Sequence, residues 1–298
     1  MKAKTPATGK LSQTRLSESQ NQLTLTLGNS HPQLISVLLQ QALIQSETGE
    51  FDRGLALVKD AMVIANVSFP AGHPQRIEAV AMLARIELRR GHGSEARQFA
   101  NEAWSMTGIP WPRGGPQATR ILAVLTEAEA QISSPDAAGH LETLEAADVS
   151  ALPPLERGFV HLHRARAAQF FNQPGRASGH YQAALQSWNA CQMPPAPHPF
   201  SAPAQLGLAV LNDIGQDTPG EATHTALSAM SKLLGSDSQV AKELSGQGNA
   251  FYTAGRYPEA IWLYDRAINA YHRAEGQGSV SAQSVREYRK RAKDAAMN

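Results

Sequence analysis

The chain has 298 residues and a formal net charge of +1, from 27 Lys and Arg against 26 Asp and Glu. That balance argues against a dedicated nucleic-acid binder, and the single cysteine, Cys191, excludes an intrachain disulfide. No apolar run approaches the ~20 residues that a membrane-spanning helix needs, and the polar start MKAKTPATGKLSQTRLSESQNQ lacks the apolar core of a signal peptide. The expectation is a soluble, cytoplasmic protein without membrane contact.

Residues 1–29 are expected to be a flexible segment or a partial helix, with Leu11 and Leu16 as its apolar positions. A period follows. His31-Pro32-Gln33, His73-Pro74-Gln75 and Gly115-Pro116-Gln117 open three successive blocks, each proline 42 residues from the last. A fixed interval of this size marks a repeat array. Each block is alanine-rich, with apolar residues at three- and four-residue spacing, and so is helical. Glycine breaks the pattern midway, at Gly49 and again at Gly91. Proline suits a first helical turn and glycine a helix end, so each block predicts a pair of antiparallel helices.

Small residues flank these turns at fixed offsets. Ala42, Gly54 and Ala61 surround Gly49; Ala84, Ala96 and Ala103 surround Gly91; Gly248, Ala260 and Ala267 surround Gly255. Close helix crossings need small side chains. The middle blocks keep the pattern less fully. The third should turn near Ser133, with Ala138 in register and Glu145 where a small residue belongs. The fourth keeps Ala165, Ala177 and Ala184 and turns near Asn172, and the fifth reopens at His198-Pro199 with Gly215 and Gly220.

In the last block Gly248, Tyr252, Gly255, Tyr257, Ala260, Tyr264 and Ala267 complete a pattern that resembles the tetratricopeptide repeat (TPR). The 42-residue interval and the His-Pro openings resemble the longer variant of kinesin light chains, which also occurs in bacterial regulatory proteins. The resemblance implies an all-α fold, a right-handed superhelical solenoid of about six antiparallel helix hairpins over residues 30–277. Residues 278–298 would add a capping helix, with Val285, Tyr288, Ala292 and Ala295 on one face. Its charges Arg286, Arg289, Lys290, Arg291 and Lys293 read as the wet side of that cap.

Ten histidines invite a search for metal or catalytic sites. His31, His73 and His198 occupy equivalent places in different repeats and cannot converge on one ion, so a role at helix starts is the better reading. His161 and His163, two apart on a helix, point to different sides. GRASG at Gly175–Gly179 and GHGSEA at Gly91–Ala96 lack the serine or lysine placement that an esterase elbow or a phosphate loop requires. The segment MPPAPHPFSAPA, Met193 to Ala204, favours an extended connection between repeats. Neither a catalytic constellation nor a cofactor or metal site is implied.

The resemblance further implies that the first helices of successive repeats line a concave groove for an extended peptide or a partner's helix. The positions just after each small crossing residue are Leu43, Arg85, Glu127, Arg166, Ala209 and Asn249. Those four or five further on are Arg89, Gln169, Phe170, Asn212 and Tyr252. Arg85, Arg89, Arg166, Asn212, Asn249 and Tyr252 are the groove candidates. Their arginine forks suit carboxylates, and the side chains of Asn249 and Tyr252 suit a peptide backbone. The expected function is a non-catalytic scaffold or adaptor whose ligand is an acidic or C-terminal-carboxylate peptide. A peptide-responsive regulatory sensor and a subunit of an enzyme complex are the alternatives.

Overall fold

A computed structural model describes residues 8–108, 115–191, 200–213, 220–234 and 237–297. Among them the chain is all helical: α1 (Thr8–Leu27), α2 (Gln33–Glu47), α3 (Phe51–Ser68), α4 (Pro74–Arg90), α5 (Gly93–Met106), α6 (Pro116–Gln131), α7 (Ala137–Ala146), α8 (Pro154–Phe170), α9 (Pro174–Asn189), α10 (Ser201–Asn212), α11 (Glu221–Leu234), α12 (Asp237–Thr253), α13 (Tyr257–Glu275) and α14 (Val280–Ala296). Residues Met1–Ile132 with Glu142–Ala151 form one compact unit, and Ser133–Leu141 with Leu152–Asn298 form a second.

The turns repeat one geometry. Gly49, Gly91 and Gly255 have φ of 81°, 85° and 73°, and Ser133 and Asn172 occupy the same left-handed region at 53° and 51°. At four of these turns the next amide N–H donates to the carbonyl five residues back: Glu50 to Gln45, His92 to Glu87, Gln173 to Ala168 and Arg256 to Phe251, all at 2.8–2.9 Å. This bond closes the helix end by using a carbonyl that the helix itself leaves free. The helix starts are equally regular. Nδ1 of His31 accepts from the Gln33 amide and Nδ1 of His73 from the Gln75 amide, each at 3.3 Å. Phe69 stacks on His73 with ring centroids 3.7 Å apart. His198 and Gly215 lie outside the described residues.

In the first unit α2 packs on α3 and on α4, and α4 on α5 and on α6. First helix meets second helix within a hairpin and first helix in the next, which is how a repeat array shares its core. The small crossing residues are where the sequence placed them. Ala42, Ala61, Ala84, Ala96 and Ala103 are fully buried, and a Cβ on Gly54 would lie 3.3 Å from the Ala42 carbonyl and from the Ile86 side chain. α1 lies against α2.

In the second unit α8 through α14 each pack on the next helix, and α12 also packs on α8. One core runs from Ala202 and Leu206 through Phe251 and Tyr264 to Val285 and Ala292. Large rings seat on glycines here. A Cβ on Gly158 of α8 would meet the Trp188 indole of α9 at 2.3 Å, and that indole N–H donates to the Leu155 carbonyl at 3.2 Å. The glycine is therefore fixed by the close approach of the ring.

Three expectations need correction. In the third block Ala138 is exposed while Ala137 and Leu144 are buried, one residue earlier than the spacing predicts. The apolar Leu144 takes the core position, and the charged Glu145 beside it stays half-buried. The last four residues of the proline-rich segment are helical, since α10 starts at Ser201 and carries Pro203 in its first turn, where no amide is needed. On α14 the buried face is Ala282, Val285 and Ala292, whereas Tyr288 is 43% exposed.

Candidate peptide groove

Arg85 and Arg89 project from one side of α4, four residues apart and so one turn from each other. Both reach the same carboxylate. Glu47, the last residue of α2, accepts from Arg85 at 2.8 Å and lies 3.8 Å from the Arg89 guanidinium. All three side chains are largely buried, at 13%, 10% and 3% exposure. A second link joins equivalent positions of consecutive repeats. Arg120 of α6 donates to Glu78 of α4 at 2.8 Å, with both side chains about one-third exposed. Arg97 of α5 approaches Glu129 of α6 at 3.2 Å.

Arg166, near the end of α8, pairs with Glu243 of α12 at 2.6 Å, with side-chain exposures of 9% and 8%. Gln169, one turn further along α8, is 3% exposed, and its Oε1 accepts from the Tyr181 hydroxyl at 2.5 Å. Asn249 is at the surface and accepts from the Tyr264 hydroxyl at 2.8 Å. Burial raises the pKa of that phenol well above its usual value, with Tyr252 and Tyr288 adding to the shift, so it stays a donor. The half-buried Tyr252 ring lies 5.5 Å from Tyr257. Asn212 is exposed at the end of α10. Among the others, Glu127 and Ala209 are buried, and Leu43 and Phe170 are half-buried.

The structure thus brings Arg85 and Arg89 together within the first unit, and places Arg166, Asn212, Asn249 and Tyr252 in the second. What sequence reasoning missed is the carboxylates. Glu47 lies five residues after a crossing alanine and Glu243 five before a crossing glycine. The offset of Glu47 is the one that marks Arg89 after Ala84, so the equivalence of the two repeats could have found it, whereas Glu243 falls outside that set and only the neighbouring helix identifies it.

Chemistry elsewhere is sparse. His161 stacks on His180 with centroids 5.7 Å apart. Burial holds its pKa down at about 4, and the charges of Arg164, His180 and Arg157 push the same way. Burial raises the Cys191 thiol against the opposing charge of Arg157, and its sulfur lies 3.8 Å from the Ser187 carbonyl. Such a thiol is a poor nucleophile. On α14, Arg289 pairs with Asp265 at 2.5 Å and Arg286 contacts His272 at 2.7 Å. No described helix is long and apolar enough to cross a membrane.

The array of paired helices, with its fixed turns and small crossings, is an all-α repeat architecture. No family model and no curated protein matches the chain. Among solved structures it is similar to two crystal structures of a Podosopora anserina kinesin light chain with nearly identical TPR-like repeats, at 16% and 17% identity. These matches cover 82% and 84% of this chain and 97% and 99% of those chains, each with a TM-score of 0.41. It is also similar to BtubC (BKLC) from P. vanneervenii, at 12% identity, 88% and 89% coverage and a TM-score of 0.36. At scores this low the architecture rests on the hairpins themselves and not on these likenesses.

Proposed function

We propose that the chain is a non-catalytic protein-interaction module that takes an acidic peptide, or a partner's helix carrying carboxylates, along its first helices. The observation that carries this reading is the arginine pair Arg85 and Arg89, which faces a carboxylate contributed by the neighbouring repeat. Guanidinium forks recognise carboxylates in a fixed geometry, and an array that already seats one at the first helices has the chemistry to seat another from a partner. Asn249 and Tyr252 add groups suited to a peptide backbone.

The test must respect the internal pairs. Replacing the arginines alone would strip cations from Glu47, which is 3% exposed, and would confound binding with folding. The suitable variant is Glu47→Gln with Arg85→Gln and Arg89→Gln, which keeps hydrogen-bonding groups while removing the charges. Affinity capture from the native host with wild type should return a partner whose retention falls as salt rises. The folded triple variant should lose that partner. Undiminished, salt-insensitive capture would overturn the groove assignment.

A further inference from the structure

The first unit has another side, carried by its second helices. α1, α3 and α5 each lead into a helix that opens on a proline, so they occupy equivalent places in consecutive repeats. Leu23 of α1 packs on the cluster that holds Ala61 and Ala65 of α3, and Met62 of α3 packs on the one that holds Ala103 of α5. Core positions of these helices repeat because stacked hairpins share a core. Exposed positions are under no such demand, yet they repeat as well. Glu18, Asp60 and Glu102 lie 42 residues apart and are all exposed. Seven residues beyond the first two come Leu25 and Val67, at 87% and 86% exposure, with Val63 at 65% one turn before Val67. Valine is a poor helix former, and these two stay largely in water, so neither local propensity nor the core accounts for them. Aliphatic side chains exposed together mark a surface that another molecule covers.

The carboxylates beside these aliphatics call for a cationic occupant, and the spacing suits a helix. Neighbouring packed helices lie ~8–10 Å apart, and a helical ligand covers ~10.5 Å in seven residues. The seven residues between the acids and the aliphatics span the same ~10.5 Å, about the width of one helix. We propose that α1, α3 and α5 dock a basic amphipathic helix of a partner protein, laid across them. Its cations, one every seven residues, meet Glu18, Asp60 and Glu102, and its aliphatic flank meets Leu25, Val63 and Val67. Lys59 precedes Asp60 and offsets part of its charge, whereas Ser17 and Asn101 hold that place beside Glu18 and Glu102. This surface lies on other helices than the arginine groove and takes the opposite charge, so it stands or falls independently of that groove.

The probe is a fluorescein-labelled helical peptide of three Lys-Leu-Gln-Ala-Ala-Gln-Ala repeats, whose lysines and leucines form flanks about 100° apart. It is titrated with the full-length protein and followed by fluorescence anisotropy at low ionic strength. Wild type should bind it, and should bind a peptide of the same composition with lysines scattered around the helix at least about fivefold more weakly. Glu18→Gln with Asp60→Asn and Glu102→Gln should weaken binding by about fivefold or more and flatten its salt dependence. Val63→Ser with Val67→Ser should weaken it by about fivefold or more. The melting temperature should hold in both variants, because the positions are exposed and serine and valine have similar helix propensity. Glu221→Gln with Val280→Ser, exposed on α11 and α14, should leave affinity within about twofold. Equal binding of the two peptides, wild-type affinity in either surface variant, or no binding by wild type would overturn the proposal. So would a wild-type dimer in sedimentation that Val63→Ser with Val67→Ser dissolves, because a second copy would then cover this surface.

Discussion

The two units solve the same problem of buried charge differently. In the first, carboxylates and arginines meet across adjacent first helices, Glu47 with Arg85 and Glu78 with Arg120. In the second, Arg166 reaches past a whole hairpin to Glu243. The first arrangement follows from stacking, because equivalent positions of neighbouring repeats face each other: Arg89 lies 42 residues after Glu47 and Arg120 lies 42 after Glu78, with Arg85 one turn before Arg89. The second requires α8 and α12 to touch. A regular period therefore predicts which side chains can pair between neighbours, but gives no warning of a pair 77 positions apart.

The largest expected effect comes from breaking the buried links and sparing the exposed one. Arg85→Ala with Arg89→Ala should cost about 3–5 kcal/mol, because it strips the cations from a carboxylate that cannot be rehydrated in place. Arg166→Ala should fall in the same range. Arg120→Ala, at a pair with substantial solvent access, should cost no more than ~1 kcal/mol. Urea denaturation measures all three. Equal losses at Arg85 and Arg120 would show that burial is not what distinguishes the pairs.

Next come the helix crossings, which test whether both units are packed equally tightly. Ala96→Leu in the first and Ala260→Leu in the second should each cost about 1–3 kcal/mol by overpacking. Ala282→Leu belongs with them. Although it lies in the first turn of the last helix, Ala282 is fully buried and its amide donates to the Ser279 hydroxyl at 3.1 Å. Gln283→Leu, exposed beside it, is the proper control and should shift the melt by less than ~0.5 kcal/mol. A tolerated Ala96→Leu would mean the hairpin register is wrong.

A smaller effect separates the units by pH. His161 lies in the second unit with its pKa lowered from 6.5 to about 4. Between those values the unfolded chain binds a proton that the folded chain does not, so stability falls as pH falls through that window and is fully present above it. The α8–α9 hairpin should loosen first, seen as faster amide exchange there than in α4 and α5 as the pH is lowered from 7 toward 4. His161→Leu should flatten the dependence. An unchanged slope in that variant would mean that another group carries the acid sensitivity.

Much of the fold was legible in the sequence, for reasons that vary along the chain. The prolines, histidines and glycines of the first two hairpins have few conformational alternatives, so their spacing reads directly as helix starts and ends. The crossing alanines read equally well, because close backbones admit little else. The groove residues were legible only as a face: helix periodicity says that Arg85, Arg89 and Arg166 point one way, but burial and the identity of Glu47 and Glu243 as partners come from packing between repeats.

The central repeats were diluted because their turns lack glycine, and this gives the smallest and sharpest test. The left-handed turn at Gly91 in the first unit recurs at Ser133 and Asn172 in the second, with φ of 53° and 51°. A side chain there brings Cβ against the following carbonyl, a cost that asparagine tolerates better than serine. Ser133→Gly should therefore stabilise the protein by about 1 kcal/mol, offset in part by the greater freedom of glycine in the unfolded chain. Asn172→Gly should gain less, and Gly91→Ser should lose a comparable amount. Thermal melts of the three variants rank them directly. A destabilised Ser133→Gly would show that the serine side chain contributes more to this turn than its backbone strain costs, and that the third hairpin turns by a different device from the first two.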